Sequence, residues 1–148
     1  MIGSDVILGI KPTNIILSSN GKIKKYDEKI NIHTLVIKPN FGCSTKYIYS
    51  KVKKFSKSQF NYPKRSMFEM DYLKNLNNDL EKIALNKYPK LKKIKSFLLT
   101  LQNNIFVRMS GSGSSIVAYF HSKRACNIAH RQCKKKFNSH WCIASKTI

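Results

Sequence analysis

The residues of this 148-residue chain with the clearest chemical potential lie in one short stretch, Met109-Ser110-Gly111-Ser112-Gly113-Ser114-Ser115. Glycine has no Cβ, so a ligand can approach the main chain closely and positive φ is permitted. Consecutive N–H groups in such a loop make a cavity for an anion, usually a phosphate. A long hairpin connection is the plain alternative for any Gly/Ser loop. A second cluster is Cys126, His130 and Cys133, spaced i, i+4 and i+7 and therefore on one helix face. With His140 or Cys142 they could form a zinc site. No Cys-x-x-Cys pair is present, and small buried thiols account for these cysteines more simply; no protein-bound metal is expected. His33 has no partner at metal spacing. Asp5, on spacing alone, is a turn or N-cap residue. Tyr49 lies in a helical pattern, where an aromatic either faces the core or offers its ring to a flat ligand.

The elements that must position these residues can be read from periodicity. Asn104-Ile105-Phe106-Val107 leads into the Gly/Ser loop and Ile116-Val117-Ala118-Tyr119-Phe120 leads out. Both runs are short, β-branched and aromatic, and predict strands. His33–Lys38 predicts a strand followed by a turn at Pro39-Asn40-Phe41-Gly42. Ser44 or Thr45 can cap the next helix, with Tyr47, Ile48, Val52 and Phe55 as its apolar stripe. Residues 56–65 are polar and basic and read as a loop. Residues 66–87 carry a helical pattern, with Asn78 and Asp79 as an inter-helix break or cap and Glu81 solvated. Asp79 and Glu81 point different ways on a helix, so they are not a carboxylate pair for acid–base work. Pro89 opens a further helix to about Gln102, with Leu91, Ile94, Leu98 and Leu99 inward. Lys87, Lys90, Lys92, Lys93 and Lys95 read as its solvated face. A last helix runs from Lys123 to about Phe137, with Ala125, Ile128, Ala129 and Cys133 inward and lysines in its final turn. Trp141–Ala144 is a final strand. This order predicts an α+β fold, with helices on one face of an antiparallel sheet. Ahead of it, Asn14–Ser18 and Lys22–Tyr26 flank Ser19-Asn20-Gly21, a hairpin signal. A lone hairpin is marginal in water, which implies that this piece belonged to something larger.

Composition sets the outer bounds. A hydrophobic content of 42% supports a packed core, while the net charge is +21. Nearly all the basic residues are lysine; the arginines are Arg65, Arg108, Arg124 and Arg131. Lysine, isoleucine and asparagine are abundant together, the mark of a low-GC coding bias. Arginine is the preferred residue for planar phosphate and base recognition, and its scarcity argues against an evolved nucleic-acid surface. No signal peptide and no membrane-length apolar run are present. The chain is expected to be soluble and cytoplasmic, with reduced cysteines.

Together these residues carry a resemblance. Met109–Ser115 is similar to the third, C-terminal glycine-rich motif of the GHMP kinase superfamily. Lys38-Pro39-Asn40-Phe41-Gly42-Cys43-Ser44-Thr45, followed by Ile48-Tyr49, resembles the Lys-Pro-x-x-x-x-Ser-Thr…Val-Tyr segment of its diphosphocytidyl-methylerythritol kinases. Asn78-Asp79-Leu80-Glu81 with Tyr88-Pro89 resembles their Asn-Asp-Leu-Glu…Tyr-Pro signature. Gly3-Ser4-Asp5-Val6 is similar to their Gly-(Ala/Ser)-Asp-Val-Pro segment, with Ile7 in place of the proline. The resemblance implies a ferredoxin-like C-terminal domain over residues 33–148, preceded by a remnant hairpin of the N-terminal domain over residues 1–32. It implies that Asp5 accepts or orients the proton of the attacking hydroxyl. It further implies that Tyr49 stacks on the cytosine of the substrate, and that Ser110, Gly111, Ser112, Gly113 and Ser114 form the nucleotide-side loop.

The implied activity is ATP-dependent phosphorylation, with Mg2+, of the 2-hydroxyl of a cytidyl-linked methylerythritol in non-mevalonate isoprenoid synthesis. No Pro-x-x-x-Gly-Leu-Gly-Gly-Gly-Ser-Ser stretch, the family's main phosphate cradle, occurs in these residues. Phosphoryl transfer depends on positioning and charge stabilisation. The expectation is therefore a truncated chain, inactive alone and compatible with the product of a decaying gene, that would need a separate chain to supply the N-terminal half. Two other classes stay open: an RNA-binding ferredoxin-like module stacking bases on Tyr119 and Phe106, and a non-catalytic interaction protein whose hairpin pairs with a partner's sheet edge.

Overall fold

The computed structural model describes residues 13–27 and 30–147. Its contacts group the chain into two compact units, one from residues up to 31 together with 57–75, the other from 32–56 and 76–147.

In the first unit, β1 (Asn14–Leu17) and β2 (Ile23–Tyr26) pair antiparallel, Asn14 opposite Tyr26. The Asn-Gly signal is realised: Gly21 takes φ +79°, Ser18 N–H donates to Lys22 O at 2.9 Å, and Lys22 N–H donates to Asn20 Oδ1 at 3.2 Å. A 3-10 turn over Arg65–Phe68 precedes α1 (Met70–Asn75). Phe68 meets the Tyr26 ring edge-on at 5.1 Å, giving the hairpin an apolar contact that a free hairpin lacks.

In the second unit, four strands form one sheet in the order β4-β5-β3-β6, every neighbouring pair antiparallel. They are β3 (His33–Lys38), β4 (Asn104–Met109), β5 (Ile116–Phe120) and β6 (Trp141–Lys146). The helices of this unit are α2 (Thr45–Ser50), α3 (Glu81–Lys87), α4 (Pro89–Thr100) and α5 (Lys123–Lys136). Helices lie between β3 and β4 and between β5 and β6, so strand, helix, strand, strand, helix, strand gives the α+β, ferredoxin-like arrangement. The two-residue alternation of strands decides which side is core. Leu35, Ile37, Val107, Met109, Ile116, Ala118, Phe120 and Cys142 form a buried cluster with Ile48, Ala84, Leu91, Ile94, Leu98, Ala129 and Cys133 from the helices.

Local chemistry sets the helix ends. Ser44 caps α2, its hydroxyl accepting from Tyr47 N–H. Tyr88 precedes proline and is held out of helical ψ, so α3 stops there and Pro89 opens α4. Ser122 caps α5 by accepting from Ala125 N–H.

Several sequence expectations need correction. The helix capped by Ser44 ends at Ser50, so Val52 and Phe55 lie beyond it, and Phe55 is exposed rather than part of its apolar stripe. The pattern over 66–87 breaks at Glu69, with ψ 145°, as well as at the expected second break at Asn78-Asp79 before α3. At the second break Asn78 Oδ1 accepts from Leu80 N–H at 3.0 Å, a local bond that competes with helix. Ile128 and Leu99 are 40% and 53% exposed rather than inward, and Cys126 takes the place of Ile128 in the core. Glu81 and Lys95, both expected in solvent, are turned inward against each other as an ion pair with side chains 13% and 19% exposed.

Candidate functional site

The Gly/Ser loop closes on itself before anything else holds it. Ser110 N–H donates to Ser115 O and Gly113 N–H to Ser110 O, both at 2.9 Å. This tight path requires φ +51° at Gly111 and +89° at Gly113. A Cβ on Gly113 would also meet Met109 Sδ at 3.0 Å and Cys43 Sγ at 3.1 Å. Glycine at this position is therefore needed for both conformation and space.

Two other segments grip the loop. From the β3–α2 side, Phe41 O accepts from the buried Ser114 hydroxyl at 2.7 Å. Thr45 Oγ1 shares a hydrogen bond with Ser112 Oγ at 2.8 Å. From the α3 side, the Asn78 amide donates to Met109 O at 3.0 Å and Gly111 O at 2.8 Å. Glu81 Oε2 accepts from Met109 N–H at 2.6 Å. Because β4 is an edge strand, its outward N–H and C=O groups need partners. The side chains of Asn78 and Glu81 supply both to Met109, as a neighbouring strand would. Sequence reasoning missed this use of Glu81. An acid three residues after an asparagine in a helical pattern reads as exposed unless the facing edge strand is known.

Lys95 neutralises Glu81 from α4. Burial, and then the nearby Arg108 charge, lower the Lys95 pKa from its ordinary value. Arg108 itself donates to Leu76 O at 2.5 Å and lies over the Phe106 ring at 4.7 Å. Phe106 and Tyr119 stack on each other with centroids 4.2 Å apart.

Tyr49 is 51% exposed while its neighbour Ile48 is fully buried, so the core is served by Ile48 and the Tyr49 ring is accessible. Thr45 and Tyr49 are four residues apart on α2 and share a face, one turn from each other. The Tyr49 ring lies 6.4 Å from that of Phe55, itself 56% exposed. Asp5 lies outside the described residues.

The cysteine–histidine cluster is gathered between α5 and β6 but used internally. Cys126, Cys133 and Cys142 are buried, and His130 Nε2 lies 3.2 Å from Cys142 O. A hydrogen bond to Cys142, followed by burial, pushes the Cys133 thiol up, so it stays protonated and donates to Cys142. Among the described residues, no group of three or more His, Cys, Asp or Glu could hold a metal ion, and no helix is long and apolar enough to cross a membrane.

The three segments meeting at the loop are three of the four that carry the sequence resemblance; the fourth, Gly3–Val6, lies outside the described residues. Residues 53–139 match the family described as GHMP kinases C terminal. The chain belongs to the GHMP kinase family. It is 73% identical over 147 residues to a 4-diphosphocytidyl-2-C-methyl-D-erythritol kinase of Pelagibacter ubique, an overlap covering 99% of this chain and 52% of that relative. A kinase with the same description from Acetivibrio thermocellus is 28% identical over 155 residues, covering 99% and 53%. The chain thus spans about half the length of the curated relatives it matches. Among solved structures, a 4-(cytidine 5'-diphospho)-2C-methyl-D-erythritol kinase superposes with a TM-score of 0.70 at 21% identity, covering 96% of this chain and 53% of that one. Homoserine kinase from Cytophaga hutchinsonii gives 0.62 at 15% identity, covering 90% and 47%. At these identities the GHMP kinase likeness in three dimensions speaks for the fold.

Proposed function

We propose that this chain serves an ATP-dependent kinase that phosphorylates the 2-hydroxyl of 4-diphosphocytidyl-2-C-methyl-D-erythritol. The 73% identity along 99% of the chain to a kinase of that name carries the reading. The geometry supports it. The Gly/Ser loop, with its fixed main chain and serine hydroxyls, is the nucleotide-side element. Its donors suit phosphate oxygens that gain charge during transfer. Tyr49, accessible and one helical turn from Thr45, stacks on the cytosine. Asp5 accepts or orients the proton of the attacking hydroxyl. The described residues present no ligand set of their own for Mg2+, and the fit is to a metal carried in on ATP phosphates. When bound, the metal neutralises phosphate charge.

The phosphate cradle that completes such a clamp has no counterpart in these 148 residues. We propose that they act with an N-terminal half, in the same or a separate polypeptide, in the cytoplasm. The test mixes the chain with the N-terminal half of the Pelagibacter relative, ATP, Mg2+ and the cytidyl substrate. Phosphate appearing on the substrate 2-hydroxyl by 31P NMR is the expected result. ADP formation independent of the cytidyl substrate would refute the assignment.

A further inference from the structure

We infer that Asn78 is a positioning residue that turns the Ser112 N–H toward a phosphate oxygen. This rests on reading residues 110–114 as the nucleotide-side loop. The argument begins with the Asn78 amide, which spans two carbonyls of the same loop, Met109 O at 3.0 Å and Gly111 O at 2.8 Å. Its own oxygen is occupied by Leu80 N–H at 3.0 Å. The side chain is thus anchored at one end and can hold the loop with the other.

A trans peptide places its N–H opposite its C=O. Holding the Gly111 carbonyl against Asn78 therefore aims the Ser112 N–H to the other side, away from α3. Among the described residues that N–H has no acceptor, whereas those of Ser110 and Gly113 are consumed within the loop. Ser112 is also gripped through its hydroxyl by Thr45, so the residue cannot rotate about its own backbone to escape. Gly111, at φ +51° with nothing within 4 Å of its missing Cβ, would be free to swing if Asn78 let go. The result is a preorganised oxyanion donor whose orientation is set by a side chain 33 residues away in sequence.

The probe is inorganic pyrophosphate titrated into the 15N-labelled full chain and followed by amide NMR. The Ser112 amide is expected to show the largest downfield shift, saturating in the millimolar range. Asn78→Ala removes both carbonyl bonds and is expected to weaken binding about tenfold, the effect of one lost hydrogen bond of ordinary strength. Asn78→Asp keeps the acceptor for Leu80 N–H and so protects the fold, yet it loses the donor and is expected to weaken binding at least as much. Asp79→Asn, whose carboxylate faces Ser56, is expected to bind as the parent does. A Ser112 amide that does not move, or an Asn78→Ala chain binding pyrophosphate as tightly as the parent, overturns the inference. Pyrophosphate binding through Ser112 without turnover in the reconstituted kinase would remove the kinase reading and leave this one standing. Turnover with an unresponsive Ser112 would do the reverse.

Discussion

Residue by residue, the loop depends on glycine for different reasons at different positions, and substitution should separate them. Gly113→Ala combines φ +89° with sulfur atoms at 3.0 and 3.1 Å and is expected to cost about 1–3 kcal/mol. Gly111→Ala meets open space but keeps φ +51°, and about 1 kcal/mol is expected from the left-handed conformation. Gly42→Ala has neither problem and is expected within about 0.5 kcal/mol of the parent. Urea melts of the three variants check the order. Glu81→Ala strips the acceptor from Met109 N–H and leaves Lys95 unpaired in partly buried surroundings. The expected loss is about 1–3 kcal/mol, read from the same melts.

Among the elements, spacing and local capping chemistry made most boundaries legible. The Asn20-Gly21 hairpin, the Ser44 cap and the Pro89 start all lie where the residues placed them. What could not be read was long-range use. Lys95 belongs by pattern to a solvated lysine face, and only the arrival of β4 beside α3 gives Glu81 a reason to recruit it. Ile128 fits the helical stripe as well as Cys126 does, and the position of β6 against α5 decides between them. The buried anchors of α4 are expected to behave as core: Leu91→Ala, fully buried in the parent, should cost about 2–5 kcal/mol by denaturant melt.

The segment after α2 is tied to the segment before α3 by a titratable link. The Ser56 hydroxyl and N–H donate to Asp79 at 2.5 and 2.8 Å, and these bonds hold its carboxyl below the ordinary range. The unfolded chain then binds the proton more tightly than the folded one. The link therefore contributes fully above the unfolded pKa of about 3.9 and is lost as pH falls through the lower folded value. Asp79→Asn is expected to lower the melting temperature at neutral pH, where the link contributes fully, and to converge with the parent in acid, flattening the fall over that window. An unchanged acid profile would show that the bond does not form in solution.

For the whole molecule, the candidate site was legible as three separate motifs but not as one structure. Phe41 to Thr45, Asn78 to Glu81 and Ser110 to Ser114 are far apart in sequence, and only the sheet order brings them to one sheet end. Once assembled, the flanking segments hold the Gly/Ser loop by hydrogen bonds, and in the function proposed above that loop is one side of a phosphate clamp. Catalysis by positioning needs the opposing side too, so the central claim is that these 148 residues supply part of a kinase that another half completes. The most direct test is the rate of ADP formation with ATP, Mg2+ and the cytidyl substrate, measured for the chain alone and again with the N-terminal half of the Pelagibacter relative added. The expected result is a background rate alone and sustained turnover in the mixture. Full turnover by the isolated chain, or none in the mixture, would contradict the account.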